Sequence, residues 1–364
     1  MYTENIVVPT LILDKEKCKK NIHFMVEKSK HHNLIFRPHF KTHQSRIVGS
    51  WLKQLGVNKI TVSSLKMAEY FANDDWNDIT VAFPVNTREI ETINSLAEEI
   101  QLNITVENTE SIEFLVSELE FEIGFFIKID TGYHRTGLSF DIFLTIDKIL
   151  KLASKSNMLN FKGFLSHSGN TYNTKNKSEI TEIHNESLYK LSLLKKQYIE
   201  KFPDLLISIG DTPSCSIVDD FSGVDEIRPG NFVFYDLTQY KLGSCLKENI
   251  SVAMACPVVA KHKNRNEIII YGGGVHFSKE RLEINDQKVF GMLVKLTEKG
   301  WQFLDEELFL TKLSQEHGTL KVSDQVFEEL NIGDLIGVIP VHSCMTANLM
   351  KEYITPDTDI IDHL

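Results

Sequence analysis

The chain has 364 residues, 42% hydrophobic and 24% charged, with a net charge of −11 when histidines are counted neutral. That length suits two domains with ample core, and the composition excludes a disordered, collagenous or coiled-coil chain. The acidic balance argues against nucleic acid or an anionic membrane as main partner, because either needs concentrated Lys and Arg; small molecules are the expected ligands.

The opening MYTENIVVPTLILDKEK has no basic segment followed by a long apolar run. No stretch of the sequence approaches the ~18 apolar residues that span a bilayer, so a cytoplasmic protein is expected. Five cysteines (Cys18, Cys215, Cys245, Cys256, Cys344) are scattered without a Cys-x-x-Cys pair, which fits neither a disulfide framework nor a four-thiolate zinc site.

After a strand-like opening of ten residues, Leu13 to Lys30 spaces its apolar positions as a helix entered through Asp14, a good N-cap. Eight β-rich runs follow, at Leu34–Thr42, Lys59–Ser63, Asp78–Phe83, Asn103–Glu107, Phe121–Asp130, Phe161–Ser168, Leu205–Asp211 and Val224–Arg228. Amphipathic helical stretches alternate with them, among them Arg46–Leu55, Leu65–Phe71, Arg88–Ile100, Glu110–Leu119 and Ser178–Glu200. Strand then helix, repeated, means parallel strands joined by crossovers, and eight such units close a (β/α)8 TIM-type barrel, expected over residues 11–240. An open doubly wound sheet is the alternative. From about Gly243 short extended segments at Ile250–Val259, Glu267–Tyr271, Lys288–Lys295 and Leu335–Val341 predict a smaller, mainly β domain over residues 241–364, which residues 1–10 would join.

In such a barrel the working residues sit at the carboxyl ends of the strands. Strand one ends in Pro38-His39-Phe40-Lys41-Thr42-His43, and strand period would put His39, Lys41 and His43 on one face. A partly buried lysine there is expensive unless paired or reacted, and burial moves it toward the free amine that attacks carbonyls; the plain alternative is an exposed lysine past the strand end. Strand five runs into a turn, Asp130 to Gly137, whose glycines bracket Arg135 and suit a guanidinium beside an anion. Strand six ends in His167 through Tyr172, an imidazole and a phenol. Gly210-Asp211-Thr212-Pro213-Ser214 and Arg228-Pro229-Gly230-Asn231 close strands seven and eight, and loops of this kind often build a phosphate site together. Gly272-Gly273-Gly274 has no helix expected after it and reads as backbone crowding at a strand end, not a dinucleotide fingerprint. Near the end, His342 and Cys344 stand two apart on an expected extended strand and would project the same way, a donor pair suited to Zn²⁺ but fewer than the three protein ligands usual in catalytic sites.

With Pro-His-x-Lys-Thr-His, Gly-Asp-Thr-Pro-Ser, Arg-Pro-Gly-Asn and a late His-x-Cys in that order, the chain resembles the D-threonine aldolase and D-serine dehydratase family, from about Val8 to Ala347. The resemblance implies an alanine racemase-type fold and pyridoxal phosphate (PLP) as cofactor. It makes Lys41 the lysine that carries PLP, sets Arg135 beside the phenolate oxygen and His167 and Tyr172 along the ring, with Tyr172 a candidate partner of the pyridine nitrogen, and gives the phosphate to Thr212, Ser214, Gly230 and Asn231. Arg228 matches the position that faces the pyridine nitrogen in racemases of this fold. His342 and Cys344 match a metal pair, for Zn²⁺ or Mn²⁺, which makes them catalytic together with Lys41. The activity implied is a metal-assisted lyase on a D-β-hydroxy amino acid, in a homodimer. Alternatives within the fold are an amino-acid racemase, although its opposite-face tyrosine has no clear counterpart here, and a catalytically silent PLP-binding protein, which usually lacks the second domain.

Overall fold

The computed structural model describes residues 2–364. By contacts the chain divides into two compact units, one of His23–Lys41 with Gly49–Gly230, the other of the chain up to Ile22 with Thr42–Val48 and Asn231–Leu364. The division falls at Asn231 where chain order suggests residue 241, because the intervening segment bonds forward: Thr238 Oγ1 donates to the Val341 carbonyl at 2.8 Å and Asn231 Nδ2 to Ser343 Oγ at 2.9 Å.

The first unit is built on eight parallel strands, Ile35–Phe36, Ile60–Val62, Asp78–Pro84, Gln101–Val106, Ile123–Asp130, Leu159–Ser166, Leu206–Ile209 and Glu226–Ile227. The last pairs with the first, Glu226 opposite Ile35, so the sheet closes. Between the first and second strands the ladder is reduced to a single bridge, His39 opposite Thr61. Side chains alternate along these strands with period two. Ile79, Val81, Leu102, Ile104 and Val106 bury one face, while Asp78, Thr80, Asn103 and Thr105 bury the other. The barrel interior is therefore polar, and at its base the buried charges are paired. Arg37 Nε meets Glu226 Oε2 and its Nη1 meets Asp78 Oδ1, each at 2.6 Å, while Asn103 Nδ2 donates to the same Asp78 oxygen at 3.2 Å and Lys59 binds the other. Gly124 makes room for this layer, since a Cβ there would lie 2.0 Å from Asn103 Oδ1.

The expected helices form, at Lys15–His31, Arg46–Gln54, Leu65–Ala72, Ile90–Glu99, Thr109–Glu118 and Lys177–Tyr198. Asp14 accepts from Lys17 N at 3.1 Å, and Ser64, Asn108 and Asn176 cap three others in the same way. Strand one is shorter than expected. It stops at Phe36, and Phe40–Thr42 is a turn of 3-10 helix.

The second unit is an antiparallel barrel. Val252–His262 pairs with Glu267–Tyr271, and the order continues through His317–Lys321, Phe309–Leu313, Gly291–Thr297 and Leu335–Pro340 back to Val252–His262. The N-terminal strand, Thr10–Leu13, joins it against Val252–Ala255. The triple glycine ends strand Glu267–Tyr271 in a crowded corner, where a Cβ on Gly272 would meet Cys256 Sγ at 2.6 Å and one on Gly273 the Gln315 carbonyl oxygen at 2.2 Å. A four-residue helix, Gly274–Phe277, does follow it, against expectation. No helix among the described residues is long and apolar enough to cross a membrane.

The barrel floor yields a stability prediction. Removing one partner of a buried ion pair leaves the other charge uncompensated, so Arg37→Met should cost about 3–5 kcal/mol in urea unfolding. Arg37 and Lys59 hold the Asp78 carboxyl below its usual range although burial alone would raise it. A folded-state pKa below the unfolded one contributes stability above about pH 4, lost as pH falls through the folded value. Unfolding of Asp78→Asn should therefore differ from the parent least in strong acid.

Candidate functional site

At the carboxyl ends of the parallel strands the first unit gathers cations. Lys41 is exposed, and its backbone N–H donates to His39 Nδ1 at 3.3 Å. The 3-10 turn rotates successive side chains by about 120° rather than 180°, so His39, Lys41 and His43 do not share a face as strand period would have it. His43 is buried, its Nδ1 accepting from Ser45 N at 3.1 Å. Burial, reinforced by Lys41, lowers both His39 and His167 well below the usual histidine range, with Lys128 and either Arg228 or Arg135 adding to it. His167 Nδ1 contacts the Gly210 carbonyl, which can only accept, so Nδ1 carries the hydrogen and Nε2 is left as a bare acceptor.

Two of the contributing cations are themselves buried. Burial brings Lys128 down to about 8 with Arg228 and Arg135 adding to it, and brings Arg228 down to about 10 against the pull of Glu226. Sequence reasoning passed over Lys128, although a lone lysine in the apolar strand Ile123–Asp130 was a visible signal. Arg228 is fixed from below, its Nε donating to Ser208 Oγ at 2.7 Å and an Nη to the Ser166 carbonyl at 2.5 Å. Arg135 is exposed and stacks 4.9 Å over the Tyr133 ring, which meets His167 edge-on at 6.0 Å. Gly169 lies against that ring, where a Cβ would come within 2.4 Å.

Beside these cations stand buried hydroxyls. Thr212 Oγ1 and Ser214 Oγ are inaccessible to water and have no hydrogen-bond partner. Asp211 orients their turn by accepting from Ser214 N at 2.7 Å, and Tyr172 Oη accepts from Thr212 N at 3.4 Å. Unpaired buried hydroxyls among positive charges are the chemistry of a site for an anion.

The second unit holds a separate cluster. Strand Leu335–Pro340 ends before His342, which is the N-cap of helix Ser343–Met350, with Cys344 in its first turn. The two are brought together by that helix start and not by strand alternation as expected. Burial would lower His342, but a hydrogen bond and the charge of Cys344, helped by Asp236 and Glu280, raise it to about 9. Around Cys344 Sγ lie Thr42 Oγ1 at 3.2 Å and Asn231 Nδ2 at 3.4 Å. Asn231 was expected at a phosphate. Its amide nitrogen is instead committed to Asp236, Ser343 and Cys344, and its Oδ1 can only accept, so its side chain offers a phosphate no donor. Burial pushes the thiols of Cys18, Cys215, Cys245 and Cys256 up, and all five cysteines are free. No group of three or more His, Cys, Asp or Glu able to hold a metal occurs among the described residues.

Comparison with known proteins decides the family. Residues 13–237 match the alanine racemase N-terminal domain and residues 251–355 a putative serine dehydratase domain. The chain belongs to the D-serine dehydratase and D-threonine aldolase family of alanine racemase-like PLP enzymes. It is 28% identical to a D-serine dehydratase of Dictyostelium discoideum over 98% of this chain and 96% of that one. Among solved structures it superposes on the D-threo-3-hydroxyaspartate dehydratase of Delftia sp. HT23 with a TM-score of 0.87 at 22% identity, covering 99% and 98% of the two chains. A D-threonine aldolase of Filomicrobium marinum gives 0.82 at 18%, covering 97% and 94%. A cysteine-to-alanine variant of D-threo-3-hydroxyaspartate dehydratase has been solved in a metal-free form.

The residues of the first unit fit the family's cofactor, which carries a phosphate and a phenolate oxygen. The unpaired Thr212 and Ser214 hydroxyls and the crowd of cations need such an anion. Imidazole with thiolate in the second unit fits a borderline-soft divalent ion. The unpaired hydroxyls also supply a test whose two readouts move oppositely. Removing a buried hydroxyl that has no partner costs the apoprotein nothing and can stabilise it. The double variant Thr212→Val, Ser214→Ala should keep or raise the melting temperature of the apoprotein while weakening PLP binding at least tenfold, measured by titration.

Proposed function

We propose that the chain is a PLP-dependent, metal-assisted lyase of D-β-hydroxy amino acids, of the D-serine dehydratase type. The observation that carries this is the His342–Cys344 pair, with Thr42 at the thiol. Thr42 follows Lys41 in the chain, and its Oγ1 lies 3.2 Å from the Cys344 sulfur. The near full-length likeness to a D-serine dehydratase supports the same reading.

PLP, when bound, supplies the electron sink that makes loss of the Cα proton feasible. A divalent ion on His342 and Cys344 would supply a Lewis acid for the β-hydroxyl leaving group, and two protein donors leave positions open for it. Lys41 would hold the cofactor, and its amine would serve as the base for the Cα proton. Thr212 and Ser214 would donate to the phosphate, with Gly230 as an expected backbone contact. Arg135 would face the phenolate oxygen, stacked on Tyr133. His167, with its Nδ1 hydrogen tied to the Gly210 carbonyl, would lie along the ring as a neutral imidazole, beside Tyr172. Arg228 in the position facing the pyridine nitrogen would keep that nitrogen unprotonated. We place the enzyme in the cytoplasm as a homodimer, the former in keeping with five free thiols.

The reading makes separable predictions. Borohydride should fix the cofactor on Lys41, and Lys41→Ala should lose the visible spectrum of the yellow protein; an unchanged spectrum refutes the lysine assignment. D-Serine should give ammonia and a 2-oxo acid. Glycine plus an aldehyde from a D-threonine-type substrate would mark an aldolase, and the enantiomer alone a racemase. EDTA should abolish turnover, leave the cofactor spectrum intact, and be reversed by Zn²⁺ or Mn²⁺. Cys344→Ala should behave as the stripped enzyme, and full activity in that variant would remove the metal from the mechanism.

A further inference from the structure

Asp236 lies inside the second unit, 1% exposed, and both of its carboxylate oxygens accept hydrogen bonds. Its Oδ1 accepts from Gln239 N at 2.9 Å, which caps the helix Leu237–Leu242. Its Oδ2 has three further donors, Asn231 Nδ2 at 2.7 Å, Ser343 N at 3.0 Å and Ser343 Oγ at 3.3 Å. A helix cap needs only the first. The others reach the residue that separates His342 from Cys344 and the amide that faces Cys344.

The carboxylate also settles which way that amide points. Amide oxygen and nitrogen are told apart by their partners, and an oxygen could not sit 2.7 Å from a carboxylate oxygen. The NH2 group must face Asp236, and the same group then faces Cys344 Sγ at 3.4 Å. With Asp236 in place, Asn231 offers the sulfur a hydrogen. Without it the amide is free to turn and offer an oxygen, which repels a thiolate.

We infer that Asp236 and Asn231 are positioning residues for the thiolate of Cys344, the buried carboxylate holding an amide hydrogen against the sulfur so that its donation to a bound metal is restrained. This rests on the reading of His342 and Cys344 as a metal pair. A hydrogen bond to a metal-bound thiolate draws electron density from sulfur, lowers its donation and leaves the metal a stronger Lewis acid. Thr42 Oγ1, 3.2 Å from the sulfur, is a second donor from another segment of the chain. Ser343, tied to Asp236 through its backbone N–H, fixes the spacing of the two ligands on either side of it.

The test uses the PLP-loaded full chain with Co²⁺ as the metal probe, read as a difference spectrum against the Zn²⁺-loaded protein so that cofactor absorbance cancels. Asn231→Ala should still bind one Co²⁺, with the sulfur-to-cobalt charge-transfer band moved to lower energy because the sulfur electrons are less tightly held. Chelator competition should show metal affinity changed by about tenfold or more. Asp236→Asn should shift the band in the same direction, and it keeps the question open to experiment if Asn231→Ala does not fold. Thr238→Ala, which loses the side-chain bond to the Val341 carbonyl but nothing at the sulfur, should leave the band where it is. A band and affinity equal to the parent's in the folded variants would overturn the inference and leave Asp236 as a helix cap. Absence of any thiolate band in the parent would instead overturn the metal reading, a different failure.

Discussion

The barrel depends on one buried guanidinium. Arg37 sits where the parallel ladder is thinnest, the first strand being two residues long and joined to the second by a single bridge. Its side chain reaches Glu226 on the last strand and Asp78 on the third, so ion pairs reinforce the backbone pairing that closes the sheet and tie the short first strand to its neighbours. Such pairs are costly to desolvate and offer little net stability over an apolar core, but once built they do not tolerate the loss of a partner. They also set the register on both sides, because a one-residue slip of the last strand would turn Glu226 outward among the helices.

That choice propagates upward. Ser208 donates to the second Glu226 oxygen at 2.6 Å, Arg228 donates to Ser208, and Arg228 continues to the Ser166 carbonyl. A chain of hydrogen bonds thus runs from Arg37 to the arginine that helps to lower His39. The geometry of that chain is inherited by Arg228 at the strand ends.

Much of this could be read from the sequence, and the reasons are specific. Eight strands and their helices were legible because hydrophobic periods of two and 3.6 differ sharply, and because Asp14 marks the first helix start. The polar interior had a signal too, in the parallel runs Asp-Ile-Thr-Val and Asn-Ile-Thr-Val, where Asp78 and Asn103 begin an alternation unusual for strands buried on both faces. What failed was extrapolating strand period past the strand. At Phe40–Thr42 the chain winds into a 3-10 turn, and at Ser343 it enters a helix, so the facing of His39, Lys41, His342 and Cys344 followed other rules. The partners of the Asn231 side chain had another origin, since an amide beside a buried carboxylate 2.7 Å away goes to the carboxylate.

The two clusters also differ in how they spend electrostatics. In the first unit several cations lower the histidines among them, and two buried hydroxyls go without partners, so this part of the fold carries unfavourable energy that an anion would relieve. Around Cys344 in the second unit the Asp236 carboxylate accepts four hydrogen bonds, and the sulfur has an imidazole, a hydroxyl and an amide around it, with Asn231 Oδ1 left without a partner. The first arrangement favours tight binding, because the ligand supplies what folding left unmet. A divalent ion entering the second would have to displace the proton that ties His342 to Cys344, whereas an anion entering the first would meet groups that folding left unpaired.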